Sequence, residues 1–228
     1  MNVKTLVMIP ILMAFMIIAI HASLNDERLV TAVSEKKLTV VIDAGHGGID
    51  PGAVIGSFLE KEINLAVAKN IKTALEAKGF QVIMTRDSDS NLLEVSNNKI
   101  INKQLNSLAN RLSISEKVQP DVLVSIHVNS SDSAAHFGPQ CFYKEGAIKG
   151  KELAELIQQK LTNVRMGKRI AIPGDYYMLN NSSVPAVIVE LGFITNKEER
   201  QLLEQESYRK LLADAISAAI IEFLHQDS

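Results

Sequence analysis

A single cysteine, Cys141, stands in 228 residues. An intramolecular disulfide and a thiolate metal cluster are therefore excluded, and any bound metal must take His and carboxylate ligands. Nothing local activates Cys141 as a nucleophile, and it reads as a small packed hydrophobe. Basic charge is not in excess: 24 Lys and Arg against 26 Asp and Glu leave a net charge of −2. Nucleic acid is not expected as a partner, because phosphate binding needs a basic face. The common nucleotide and hydrolase signatures are also missing. Gly45-His46-Gly47-Gly48 does not go on to complete G-x-G-x-x-G, and there is neither a P-loop nor a G-x-S-x-G elbow. No internal repeat, low-complexity tract or second module such as a wall-binding domain interrupts the chain.

What remains suits one core. Hydrophobic content of 46% and charged content of 22% are ordinary for a soluble domain. Thr5 to Ile20 carries no charge, with Lys4 before it and Asp26-Glu27-Arg28 after it. Residues 1–22 are expected to be a signal peptide or N-terminal membrane anchor. The run is short for a span of ~20 residues and holds Pro10. Residues 23–36 read as a polar linker and 37–228 as the folded domain, working outside the cytoplasmic membrane, released or tethered.

Three apolar runs each end in a residue that handles metals or protons. Val40-Val41-Ile42-Asp43-Ala44 leads into a glycine turn bearing His46, Val122-Leu123-Val124-Ser125-Ile126 ends in His127, and Ala186-Val187-Ile188-Val189 ends in Glu190. Strands of this kind are buried on both faces and deliver their last side chain to a sheet edge. Helical spacing is clear at Leu59–Lys78, through Ile63, Val67, Ile71 and Leu75, and at Ile148–Val164. Further helices are expected at Leu105–Val118 and Glu206–Leu224. Strands are expected at Leu38–Asp43, Phe80–Thr85, Val122–Ile126, Cys141–Tyr143, Tyr176–Leu179 and Ala186–Leu191, and a polar loop over the site at Asp87–Asn106. The alternation predicts an α/β fold: one layered domain with a largely parallel twisted sheet, flanked by helices, and a site at the strand C-terminal edge.

His46 and His127 offer two nitrogens to a zinc ion, which in catalytic sites takes three N/O protein ligands. The third is a carboxylate, and Glu60, Glu62 and Asp50 are all near enough in sequence. Arg86 and Arg111 are candidate contacts to substrate carboxylates, although structural ion pairs are the commoner use of such arginines. Asn129 could orient substrate. His21, His136 and His225 are not expected to be ligands.

Together, Val41-Ile42-Asp43-Ala44-Gly45-His46-Gly47-Gly48, Asp50-Pro51-Gly52-Ala53, Glu60-Lys61, Asn64-Leu65 and Thr85-Arg86 resemble the zinc-dependent N-acetylmuramoyl-L-alanine amidases of the amidase_3 type. Ser125-Ile126-His127-Val128-Asn129 and Val184-Pro185 through Val189-Glu190-Leu191-Gly192-Phe193-Ile194-Thr195-Asn196 continue the resemblance, which covers roughly residues 38–225. It implies that His46, Glu60 and His127 bind Zn²⁺, favouring Glu60 over its neighbours, and that Glu190 is the catalytic carboxylate. It also implies peptidoglycan as substrate, cut between the lactyl group of muramic acid and L-alanine. One departure is Ile114-Ser115-Glu116 after Arg111, where many relatives carry Ala-Asn, which leaves Arg111 without an assigned role. The stretch from His127 to Glu190 is too short for the occluding helical insertion of regulated division amidases. Lys168-Arg169-Ile170 before Tyr177-Met178-Leu179-Asn180, with the N-terminal apolar segment, resembles the germination-specific amidases of endospore formers. That implies action on spore cortex, where stem removal leads to muramic-δ-lactam. A catalytically silent wall-binding scaffold and a zinc peptidase on another amide are the competing expectations.

Overall fold

The run through Val40 forms β1 (Thr39–Ala44), with all six residues buried. Such a strand has to lie inside a sheet covered on both faces. The protein is described from a computed structural model, which covers residues 13, 16, 37–90, 92, 103–165, 167 and 169–226. The expected export segment and linker lie outside the described residues, apart from 13 and 16. Among the described residues, no helix is long and apolar enough to cross a membrane.

Beyond β1 come a short hairpin, β2 (Val54–Ile55) and β3 (Phe58–Leu59), then α1 (Glu60–Glu76) and β4 (Gln81–Met84). Next follow α2 (Lys103–Val118), β5 (Val122–Asn129), β6 (Gln140–Tyr143) and α3 (Ile148–Val164). The chain continues with β7 (Ile172–Pro173), α4 (Tyr177–Asn181), β8 (Ala186–Phe193), α5 (Lys197–Leu203) and α6 (Glu206–Gln226). The sheet order is β4-β1-β5-β8-β6-β7. Its first four strands are parallel, and β6 runs antiparallel to β8.

Strand alternation divides the apolar residues between two layers. Val40, Ile42, Val124, Ile126, Val187 and Val189 belong to the larger core, together with Val67 and Ile71 of α1, Ile157 of α3 and Ile216 of α6. Val41, Leu123, Ala186 and Ile188 point the other way, onto Leu112 of α2 and Met178 and Leu179 of α4. By the same alternation Asp43, Ser125, His127 and Glu190 share the α2/α4 face, just beyond its apolar residues.

The sheet is largely parallel, as expected, and α3 has the expected limits. Tyr176–Leu179, a strand by its composition, is instead the start of α4, in which Asn180 N–H donates to the Tyr176 carbonyl at 2.9 Å. Met178 and Leu179 are both buried, which strand alternation on a one-sided surface does not allow. A four-residue apolar run carries too little periodicity to separate the two. The polar stretch expected as a loop over Asp87–Asn106 already turns helical at Lys103, while 91 and 93–102 lie outside the described residues. The helix α5 is an addition to the expected elements, although its signal is present: Asn196 caps it by accepting from the Glu198 and Glu199 N–H groups.

Asp43, at the end of β1, is 1% exposed. Its Oδ1 accepts from Arg111 Nη1 and Thr85 Oγ1, both at 2.6 Å, and its Oδ2 accepts from Ser125 Oγ at 2.5 Å. Burial alone would raise its pKa, but the Arg111 charge and the two hydroxyl donors outweigh it and bring the value down to about 2. The folded value lies below the unfolded one, so this group stabilises the fold above pH ~4 and loses that contribution as pH falls towards 2. The shift corresponds to about 2 kcal/mol. Urea unfolding between pH 5 and 2 should show this loss in the wild type and a shallower one in Asp43→Asn.

Candidate metal centre

After β1 the chain must turn sharply without leaving the sheet. Gly45 N–H donates to the Ile126 carbonyl of β5 at 3.0 Å, holding the turn against the neighbouring strand. A side chain at Gly45 would run into the His127 ring, so glycine is what lets the ring lie there. His46 follows with φ of +62°, a left-handed conformation uncommon outside glycine. Gly47 and Asp50 then close the turn through paired backbone hydrogen bonds of 2.9 and 3.1 Å.

Glu60 opens α1, buried, and its carboxylate is fixed from several sides. Ala53 N–H donates to Oε2 at 2.8 Å, while Val128 N–H and Asn64 Nδ2 donate to Oε1 at 3.0 and 3.2 Å. His46 Nε2 lies 3.2 Å from the same Oε1 and His127 Nδ1 lies 3.0 Å from it. One donor atom from each of His46, Glu60 and His127 falls within 4.8 Å of the others. Two imidazole nitrogens and a carboxylate oxygen at this separation could hold a metal ion, and the set fits zinc. Asp50, a candidate ligand by sequence, instead meets His46 Nδ1 at 2.8 Å, the outer position that orients a ligating imidazole. Glu62 is exposed on α1.

Burial disfavours the His46 imidazolium, but the Glu60 and Asp50 carboxylates overcome this and lift its pKa to about 9. Burial likewise opposes the charged forms of His127 and Glu60, yet their mutual contact wins, raising the His127 value and lowering that of Glu60. Such an arrangement attracts positive charge, whether proton or metal. Gly45→Ala is expected to push the His127 ring off Glu60, and any zinc added to the cradle should then be held roughly tenfold or more weakly than by the wild type. Zinc content after dialysis against a graded chelator would measure it.

Glu190 pairs in register with His127 across β8 and β5. It is 9% exposed, and its Oε2 is buried with no hydrogen-bond partner among the described residues. Burial pushes its pKa up, to about 7, with Glu60 adding to the rise and the two imidazoles opposing it. A cavity of about 170 Å³ opens beside the cradle, lined by His46, His127, Arg111, Leu108, Tyr176 and Ile188 among others.

Asn129 ends β5, and its Oδ1 accepts from Ser130 N–H at 2.8 Å. Arg86 is 3% exposed, and its guanidinium donates to the carbonyls of Ala44, Gly45, Lys61 and Ser88. It braces the glycine turn against α1. Asn64 and Asp43 join the site without a role having been expected for them, while Arg111 makes the structural ion pair that is the commoner use of such arginines. Asn64 stands one helical turn after Glu60, a spacing that could have found it.

The three-donor cradle and the spare carboxylate lie together at one sheet edge. The family model for N-acetylmuramoyl-L-alanine amidase, Amidase_3, matches residues 40–222, and the chain belongs to that family. It is 31% identical over 189 residues to the germination-specific N-acetylmuramoyl-L-alanine amidase of Bacillus subtilis (strain 168), covering 81% of this chain and 78% of that one. The CwlD amidase of Clostridioides difficile, solved in complex with the GerS lipoprotein, is 37% identical with a TM-score of 0.80, covering 83% of this chain and 100% of that one. The catalytic domain of CwlV from Bacillus (Paenibacillus) polymyxa is 29% identical with a TM-score of 0.71, covering 82% and 98%.

Proposed function

We propose that this amidase is zinc-dependent, holds the metal through His46, Glu60 and His127, and uses Glu190 as its general base and acid. The observation that carries this reading is the buried Glu190 Oε2, without a hydrogen-bond partner among the described residues, beside a three-donor cradle. His46, Glu60 and His127 would hold the zinc ion, which would supply Lewis-acid polarisation of an amide carbonyl and acidify a water there. Glu190 Oε2 takes a proton as the water oxygen bonds to the lactyl carbonyl carbon. It returns that proton to the alanine nitrogen as the C–N bond breaks, leaving a lactyl carboxylate and a free stem peptide. Burial of Glu190 raises its proton affinity, the direction that suits a group that must both accept and release a proton.

The substrate is proposed to be spore cortex peptidoglycan, with the chain acting outside the cytoplasmic membrane, secreted or tethered through residues 1–22. The likeness to the germination-specific relative supports this. Residues 23–36 would be the linker and 37–228 the catalytic domain. The purified full chain, incubated with defined muropeptides with and without Zn²⁺, should release stem peptide only with metal. Metal binding without cleavage would favour a silent wall-binding protein, and cleavage of unrelated peptides instead would favour a zinc peptidase. Deleting the gene should lower muramic-δ-lactam in spores, and an unchanged content would overturn the cortex assignment.

A further inference from the structure

We infer that the buried Asp43–Arg111 pair is a positioning device for the metal centre, holding the His46 turn so that the cradle is formed before metal arrives. This rests on the zinc reading above. A buried ion pair is weak evidence for stability by itself, because desolvation offsets its attraction. What distinguishes this one is where its other hydrogen bonds go. Arg111 Nη1 reaches Asp43 Oδ1 at 2.6 Å and also the Ala44 carbonyl at 2.7 Å, and Nη2 reaches the His46 carbonyl. Both carbonyls belong to the segment leaving β1.

His46 needs such a restraint. It is a non-glycine residue at φ of +62°, and relaxing to negative φ would carry its ring away from Glu60. The Arg111 fork fixes the peptide on the far side of that residue. Asp43 extends the restraint to the second imidazole. Its Oδ2 accepts from Ser125, its register partner on β5 and two residues before His127. One carboxylate thus ties together the two strand ends that carry the imidazoles. The pair is also neutral overall: a lone guanidinium here would repel a divalent cation, and Asp43 cancels that charge.

The test is zinc affinity, measured by competition with a chromogenic chelator, for the wild type, Arg111→Lys, Arg111→Met and Asp43→Asn. Thermal unfolding of the metal-free proteins is followed alongside, and affinity is read well below each midpoint. Lysine keeps the charge but cannot span both carbonyls, so both Arg111 variants should bind zinc about 10–100-fold more weakly. A pair that only stabilises the fold would lower the unfolding temperature and leave affinity within about twofold, which would overturn the inference. If the Arg111 variants do not fold, Ser125→Ala and Thr85→Val each remove one donor to Asp43 and should still weaken zinc severalfold; unchanged affinity in both would also overturn it. A wild type that takes up no zinc would instead sink the zinc reading itself.

Discussion

Glu190→Gln is expected to lower kcat on muropeptide by about 10²–10⁴-fold while leaving zinc content unchanged. The amide is nearly isosteric, so the β5/β8 register of His127 and Glu190 should survive. What it removes is the ability to take and return a proton at Oε2. If Glu190 has the proposed role on the reacting atoms, the loss should fall on kcat rather than KM. Steady-state kinetics with metal analysis on the same preparation would check both halves. A variant retaining more than about a tenth of wild-type kcat would exclude Glu190 as the proton carrier.

Glu60→Ala should have a comparably large effect by another route. Glu60 is the anion between the two imidazoles, within 3.2 Å of His46 Nε2 and 3.0 Å of His127 Nδ1. Its loss leaves two nitrogens, too few for a tightly held catalytic zinc. It also strands the Ala53 and Val128 N–H groups that now donate to it. The expected outcome is zinc below detection after dialysis and no measurable release of stem peptide. Chelation of the wild type should mimic this and be reversed by added Zn²⁺, whereas the variant should not recover. Full activity in zinc-free Glu60→Ala would refute the metal assignment.

Local pattern carries a good part of this molecule. The apolar runs ending in His46, His127 and Glu190 are parallel strands meeting at one edge, because burial on both faces leaves a simple compositional mark. The helix at Ile148–Val164 is legible because 17 residues repeat its period nearly five times. Tyr176–Leu179 is not, because one turn is too short to show a period. Choosing among Glu60, Glu62 and Asp50 from the residues alone requires the fold, since all three are close in sequence: the phase of α1 turns Glu60 rather than Glu62 to the imidazoles, and the glycine turn sets Asp50 on the other nitrogen of His46. Asp43 and Arg111 stand 68 residues apart, and no local signal links them.

The strand order has a consequence for where chemistry can arise. From β1 the chain goes out through α1 to β4 on one side, then returns through α2 to β5 on the other. Right-handed crossovers in opposite directions put α1 and α2 on opposite faces of the sheet. β1 and β5 are parallel neighbours whose C-terminal ends carry the two imidazoles, and a crevice lined by both opens there. His46 and His127 sit at the two lips of that crevice. Topology had already reserved the place; the side chains determine what happens in it.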